Sequence, residues 1–321
     1  MSRDVVRVAL LGAGVVGGGV ARILAEKGEV YARQLGRPLA LTGALVRDPG
    51  KPREGIDASL LTTDAHRLID DPDTDIVVEV IGGEQPALDY ISRALSQGKY
   101  VVTANKGPIA CCYAALAEEA RRAGVEFRFE SSVMDGTPVF NLARHCLPGT
   151  RVLGFAGVLN STTQVILDAM RRGLTLEEGI EEARRLGVTE ADPWFDIDGW
   201  DSACKAAALA NVVMDARVTP AEVNRRGIGR LSPEKIAETE RAGKRIVLVS
   251  RGRRTAQGVS LRVRAEVLDA GDLLAQVRGT SNVLVLHTDT MGDLGVFSLN
   301  PGLDQTAYGV FSDLVDAARS L

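Results

Sequence analysis

The chain has 321 residues, 45% of them apolar and 25% charged, with a formal net charge of −4 at pH 7. This is the composition of a globular protein, and at roughly 150 residues per domain the length predicts about two domains. No apolar run approaches the ~18 residues that a membrane span requires, and Met1-Ser2-Arg3-Asp4 leads directly into a strand-like pattern without a signal-peptide core, so the chain reads as cytoplasmic with no membrane partner. Lys and Arg total 38 against 42 Asp and Glu, without long single-sign blocks and with 4% aromatics, which argues against a nucleic-acid partner and leaves a small molecule. Cys111, Cys112, Cys146 and Cys204 lack C-x-x-C spacing, and His66, His145 and His287 lie far apart. Neither a zinc site nor a disulfide framework is indicated.

The first 130 residues alternate strand and helix signals, the pattern of an α/β, doubly wound parallel sheet. Arg7–Leu11 reads as the first strand and Val15–Lys27 as the helix after it. Strands are expected at Leu39–Val46, Ile76–Ile81, Tyr100–Thr103 and Val125–Phe129, with helices at Pro86–Gln97 and Cys112–Ala123. Beyond Pro138 the rhythm becomes that of an α+β unit. Thr175 opens a helix with Glu178 three residues on and Gly187 after its end, the signature of a capping box. Further helices are expected at Ser161–Arg172, Asp201–Met214 and Ser232–Ala242, and strands at Arg245–Ser250, Ser260–Leu268, Asn282–Thr288 and Gly295–Leu299, with Arg251–Gly258 as a hairpin loop. A final helix from Thr306 is placed to complete the first domain, which gives boundaries of 1–137 plus 303–321 and 138–302.

Gly12-Ala13-Gly14-Val15-Val16-Gly17 is a G-x-G-x-x-G set between a strand and a helix. In that context the first glycine permits the turn, the second admits a pyrophosphate and the third lets helix and strand pack, whereas a glycine-rich turn without a ligand is the plain alternative. At the end of the second strand, Arg47, Lys51 and Arg53 outnumber Asp48, which favours a 2′-phosphate and hence NADP, with NAD or a merely solvated turn as alternatives. Lys106 follows a buried strand in Thr103-Ala104-Asn105-Lys106, where ligands bind in open α/β sheets. The densest constellation runs from Thr189 to Lys205, with Glu190, Asp192, Asp196, Asp198 and Asp201 beside two tryptophans. Asp201 and Lys205 are four apart at the head of an apolar helix, and burial makes such a lysine a candidate for proton transfer while the carboxylates suit a substrate ammonium. A calcium-like acidic loop or an exposed cap is the other reading of this segment.

Taken with Val78-Glu79-Val80-Ile81-Gly82-Gly83, these motifs make the sequence resemble the homoserine dehydrogenases along nearly its whole length. The resemblance implies NAD(P)H-dependent reduction of aspartate 4-semialdehyde to homoserine, on the route to threonine, methionine and isoleucine, by a homodimer with a Rossmann-type domain and an α+β catalytic and dimerisation domain. It implies that Lys205 and Lys106 are catalytic and that Glu190, Asp196 and Asp201 hold the substrate. Gly12, Gly14, Val15, Val16, Gly17, Arg47, Lys51, Gly82, Gly83, Lys106, Gly187 and Gly302 are expected at the cofactor. A sodium-type cation is expected on mostly backbone oxygens of Glu130, Val133, Asp135 and Thr137. Longer members append a regulatory domain beyond the position of Leu321, so no threonine feedback through such a domain is expected here.

The chain departs from the family pattern in Asn160–Ile166, where a glycine, an asparagine and a tyrosine are replaced, and in the less glycine-rich segments Val133–Pro138 and Leu299–Asp304. Two further functions are therefore weighed against the first: reduction of another small aldehyde or keto compound, and cofactor binding without turnover.

Overall fold

The computed structural model describes residues 4–189 and 192–321, and the chain divides into two compact units, Met1–Phe140 with Gly302–Leu321 and Asn141–Pro301. In the first unit, β1 (Val6–Leu11), α1 (Val15–Leu35), β2 (Leu39–Leu45), β3 (Leu61–Thr62), α2 (Ala65–Ile69), β4 (Ile76–Glu79), α3 (Ala87–Ser96), β5 (Tyr100–Thr103), α4 (Lys106–Ala123) and β6 (Phe127–Arg128) follow in order. The strands form one parallel sheet in the order β3-β2-β1-β4-β5-β6, so the chain switches direction across the sheet between β1 and β4. Five strands are predicted from the sequence and six are seen, because the two-residue β3 is too short to show a period.

Two predicted helices are corrected. The first continues past Gly28 to Leu35 and ends at Gly36 in the left-handed conformation, since one interior glycine costs only about 1 kcal/mol and does not stop a helix. The second begins at Lys106 rather than Cys112, because Asn105 caps it by accepting from the Gly107 amide at 3.1 Å. The C-terminal helix Leu303–Arg319 belongs to this unit and puts Ala307, Val310, Phe311 and Leu314 into the core with Val8, Leu10 and Val78. Gly19 of α1 marks the closest approach, since a Cβ there would lie 2.6 Å from that of Ala307.

The second unit carries β7 (Val152–Val158), α5 (Ser161–Arg171), α6 (Leu176–Arg185), α7 (Trp194–Ile197), α8 (Trp200–Val213), β8 (Asn224–Arg226), α9 (Pro233–Arg241), β9 (Lys244–Thr255), β10 (Gly258–Asp269), β11 (Asn282–Thr288) and β12 (Asp293–Ser298). Its sheet runs β12-β11-β7-β9-β10-β8, antiparallel except where β8 joins β10. The expected hairpin loop at Arg251–Gly258 is corrected: Arg251–Thr255 stays paired to β10 and only a two-residue turn intervenes, so the polar arginines there are strand residues. β7, which the sequence reading does not separate, pairs in the sheet interior between β9 and β11; Gly154 and Gly157 dilute its apolar pattern while permitting close neighbours. The capping box at Thr175 and Glu178 is formed, with the Thr175 amide donating to Glu178 at 2.8 Å and the Glu178 amide to Thr175 at 3.2 Å.

Candidate active site

In the first unit the glycine turn joins β1 to α1 at the point where the strand order reverses. Gly12 has φ +105°, and a Cβ on it would lie 3.0 Å from the Val80 oxygen. One on Gly17 would lie 1.9 Å from the Gly12 oxygen. Gly14 differs: a Cβ there would meet nothing within 4 Å, and as N-cap of α1 it has no side chain to satisfy the first-turn amides. Two glycines thus serve packing and the third leaves an open face at a positive helix end, the requirement for a bound phosphate.

That face belongs to a cavity of about 710 Å³ lined by Gly12, Ala13 and Gly14, by Leu45, Val46, Arg47, Arg53 and Thr63, and by Val80, Ile81, Gly82, Gln85, Pro86 and Tyr90. The two arginines stand on the β2 side. Arg47 is exposed, and Arg53 is half-buried with its Nε buried and lacking a hydrogen-bond partner among the described residues. Lys51 is not part of the lining and instead lies 3.9 Å from Asp48. The residues present fit a dinucleotide, and Arg53, which the sequence reading leaves outside the expected cofactor contacts, is better placed than Lys51. Gly83, Val16 and Lys106, the first residue of α4, are not among the lining residues.

In the second unit the acidic segment closes on the junction of β7 and α5. Asn160 caps α5 by accepting from the Thr163 amide at 2.7 Å, and its Nδ2 donates to Asp196 at 2.6 Å and to Asp201 at 2.8 Å. Lys205 donates from Nζ to the Leu159 carbonyl at 2.6 Å and stands 3.1 Å from Asp201 Oδ2. The lysine side chain is 15% exposed and that of Asp201 8%. α8 brings this about by burying Ala206, Ala207, Ala208, Leu209 and Ala210 completely, which fixes the turn of helix on which Asp201 and Lys205 meet. Burial, and then the charge of Asp201, push the Asp196 carboxyl above its ordinary range, against the opposing effects of Asn160 and Lys205. The structure therefore brings together Asp196, Asp201 and Lys205 and adds Asn160. Asparagine at a strand-to-helix junction reads from sequence only as a cap. Glu190 lies outside the described residues. Gly187 ends α6 with φ +69°, and Gly302 caps the C-terminal helix.

The segment expected to hold a cation also packs within the first unit. The Glu130 carboxylate accepts from the Val139 amide at 2.6 Å and the Phe140 amide at 2.8 Å. Among the described residues no group of three or more His, Cys, Asp or Glu side chains is arranged to hold a metal.

Family models match both units: homoserine dehydrogenase over residues 138–315, and the homoserine dehydrogenase NAD binding domain over residues 12–130. The chain is 39% identical to a homoserine dehydrogenase of Corynebacterium glutamicum, over 98% of this chain and 72% of that protein. It is 34% identical to an NAD(+)-dependent homoserine dehydrogenase of Pseudomonas canavaninivorans, over 98% of this chain and 96% of that one. Among solved structures, a homoserine dehydrogenase from Thiobacillus denitrificans superposes with a TM-score of 0.91 at 36% identity, covering 98% of this chain and 73% of that one. With both units matched and 98% of the chain aligned to these relatives, the chain belongs to the homoserine dehydrogenase family.

Proposed function

We propose that the protein reduces L-aspartate 4-semialdehyde to L-homoserine, with NADPH preferred over NADH. The observation that supports this most is the pinning of Lys205 between the Leu159 carbonyl and Asp201, with Asp201 and Asp196 drawn together by one amide of Asn160. When bound, the cofactor supplies a hydride from C4 of its nicotinamide. Lys205 supplies the proton: its ammonium, held by a carbonyl and a carboxylate, donates to the alkoxide that forms and meanwhile stabilises its negative charge. Lys106 is proposed as the second cation at that oxygen. Asp196, Asp201 and Glu190 are proposed to hold the ammonium group of the substrate, which paired carboxylates favour.

The departures from the family pattern support the same substrate rather than a new one. Ser161 donates to the Thr280 carbonyl at 2.9 Å, Gln164 to the Val277 carbonyl at 3.0 Å, and Val165 is 3% exposed, so the replaced side chains are spent on a neighbouring loop and the core. In the two turns with fewer glycines, Asp135 takes φ +51° and Asn300 φ +45°, the region that Asp and Asn enter more readily than other non-glycine residues.

NADP preference rests on Arg47 and Arg53 in the cavity lining. Gly187 and Gly302 are proposed near the nicotinamide, and the Glu130–Thr137 turn is proposed to offer main-chain oxygens to a sodium-type cation. A cytoplasmic homodimer is proposed from the family resemblance. The test is initial-rate oxidation of NADPH and NADH with aspartate semialdehyde, beside light scattering for the oligomer. Turnover of the semialdehyde is expected; cofactor binding without it overturns the assignment.

A further inference from the structure

At the carboxyl end of β4, Glu79 is completely buried and the chemistry proposed above leaves it unused. Its Oε1 accepts from the Ile81 amide at 2.8 Å and its Oε2 from the Thr103 hydroxyl at 2.7 Å. That hydroxyl in turn accepts from the Asn105 amide at 2.9 Å, and the Asn105 side chain donates from Nδ2 to the Gly83 carbonyl while its Oδ1 caps α4. The circuit is closed: Glu79, the Ile81–Gly83 turn, Asn105, Thr103 and back to Glu79. The turns are pressed together as well, since a Cβ on Gly107 would lie 3.2 Å from the Gly83 oxygen.

A buried carboxylate is costly unless its acceptors are matched by donors. Burial pushes the Glu79 carboxyl up from its ordinary range, and hydrogen bonds from Thr103, Ile81, Gly82 and Asn105 oppose this. Thr103 is the last residue of β5 and pairs with Glu79 in the ladder, whereas Ile81, Gly82 and Asn105 belong to the two turns beyond β4 and β5, where ligands of such sheets bind. The arginines at the end of β2 mark the adenosine side of the cavity, so the turns after β4 and β5 lie under the other half of the dinucleotide.

We propose that Glu79 is a positioning residue for the nicotinamide half of the cofactor, clasping the Gly82–Gly83 turn to the segment that delivers Lys106. This rests on the dinucleotide site proposed above. In Glu79→Gln the new amide nitrogen would face the Thr103 hydroxyl, whose own hydrogen would lose its acceptor while the Asn105 amide still points at it, so the relay breaks at nearly constant volume.

Binding of NADPH and of 2′-phospho-ADP-ribose, which lacks nicotinamide, is compared by fluorescence and calorimetry in the parent, Glu79→Gln, Thr103→Val and the double variant. Either single variant is expected to weaken NADPH about tenfold and leave 2′-phospho-ADP-ribose within about twofold, and the double variant is expected to be no worse than the singles. Equal weakening of both ligands, unchanged NADPH affinity, or single effects that multiply in the double variant overturns the proposal. If Glu79→Gln fails to fold, Thr103→Val decides it by the same split. A parent that binds neither ligand instead overturns the dinucleotide site itself.

Discussion

Replacing Lys205 by Met keeps the length and apolar stem of the side chain and removes its ammonium. Two separable losses follow. The proposed proton donor goes, and with it general-acid assistance, stabilisation of the developing alkoxide included, worth roughly 10²–10⁴-fold, so that kcat should fall about 10³-fold. Asp201, 8% exposed and 3.1 Å from the lost Nζ, also loses the counter-charge beside it. Breaking a buried pair in this way costs about 3–5 kcal/mol, on the order of 10 °C in Tm. Adding Asp201→Asn removes the charge that faced Nζ, so the double variant should recover most of that stability and none of the turnover. NADPH affinity should stay within about twofold in both, because the cavity around the glycine turn is lined by the other unit alone. Stopped-flow oxidation of NADPH, fluorescence titration and differential scanning calorimetry read the three quantities. A kcat within tenfold of the parent, or turnover and cofactor affinity lost in step, would refute the reasoning.

The glycine turn gives a paired test. Gly17→Ala sets a Cβ 1.9 Å from the Gly12 oxygen and should destabilise the protein by about 1–3 kcal/mol, whereas Gly14→Ala enters open space and should fold normally while weakening NADPH binding; equal Tm values would contradict the packing argument. Arg53→Leu should weaken NADPH by about 10–100-fold and leave NADH nearly unchanged, as expected for one charge-assisted phosphate contact, while Lys51→Ala should shift neither by more than about twofold; a uniform loss for both cofactors would remove Arg53 from that role. Asp196 and Glu79 hold a proton more tightly folded than unfolded, so their share of stability is lost as pH rises from about 4 through their raised values. Asp196→Asn should flatten that decline in urea midpoints measured from about pH 4 to 7, and an unaltered slope would speak against the buried assignment.

What could be read in advance follows from which signals are local. The spacing of Gly12, Gly14 and Gly17 after an apolar strand encodes its own context, and Thr175 with Glu178 encodes a helix start, so both are legible without knowing any neighbour. Asn160 and Glu79 are not. Each acts through partners far away in sequence, Asp196 and Asp201 for one and Thr103 for the other, and a lone Asn or Glu carries no periodicity. The choice of Arg53 over Lys51 fails to show for a related reason: both sit in one polar turn, and only the way the chain folds back at Arg53 and Ile56 sends one toward the cavity. The sequence sets Lys106 at a strand end, yet only the Asn105 cap shows it to be the first residue of a helix, where a cation opposes the helix dipole.

The C-terminal helix has a consequence for synthesis. The second unit, Asn141–Pro301, is continuous in sequence, whereas the first is interrupted by it and draws Val310, Phe311 and Leu314 into its core from the far end. On the ribosome the unit that carries Lys205 can therefore complete itself while the unit that carries the glycine turn, although made first, still has α1 uncovered along Gly19 and Tyr31. Folding order is inverted relative to translation order, and a nascent chain halted before Gly302 would hold a completed second unit and an unfinished first one.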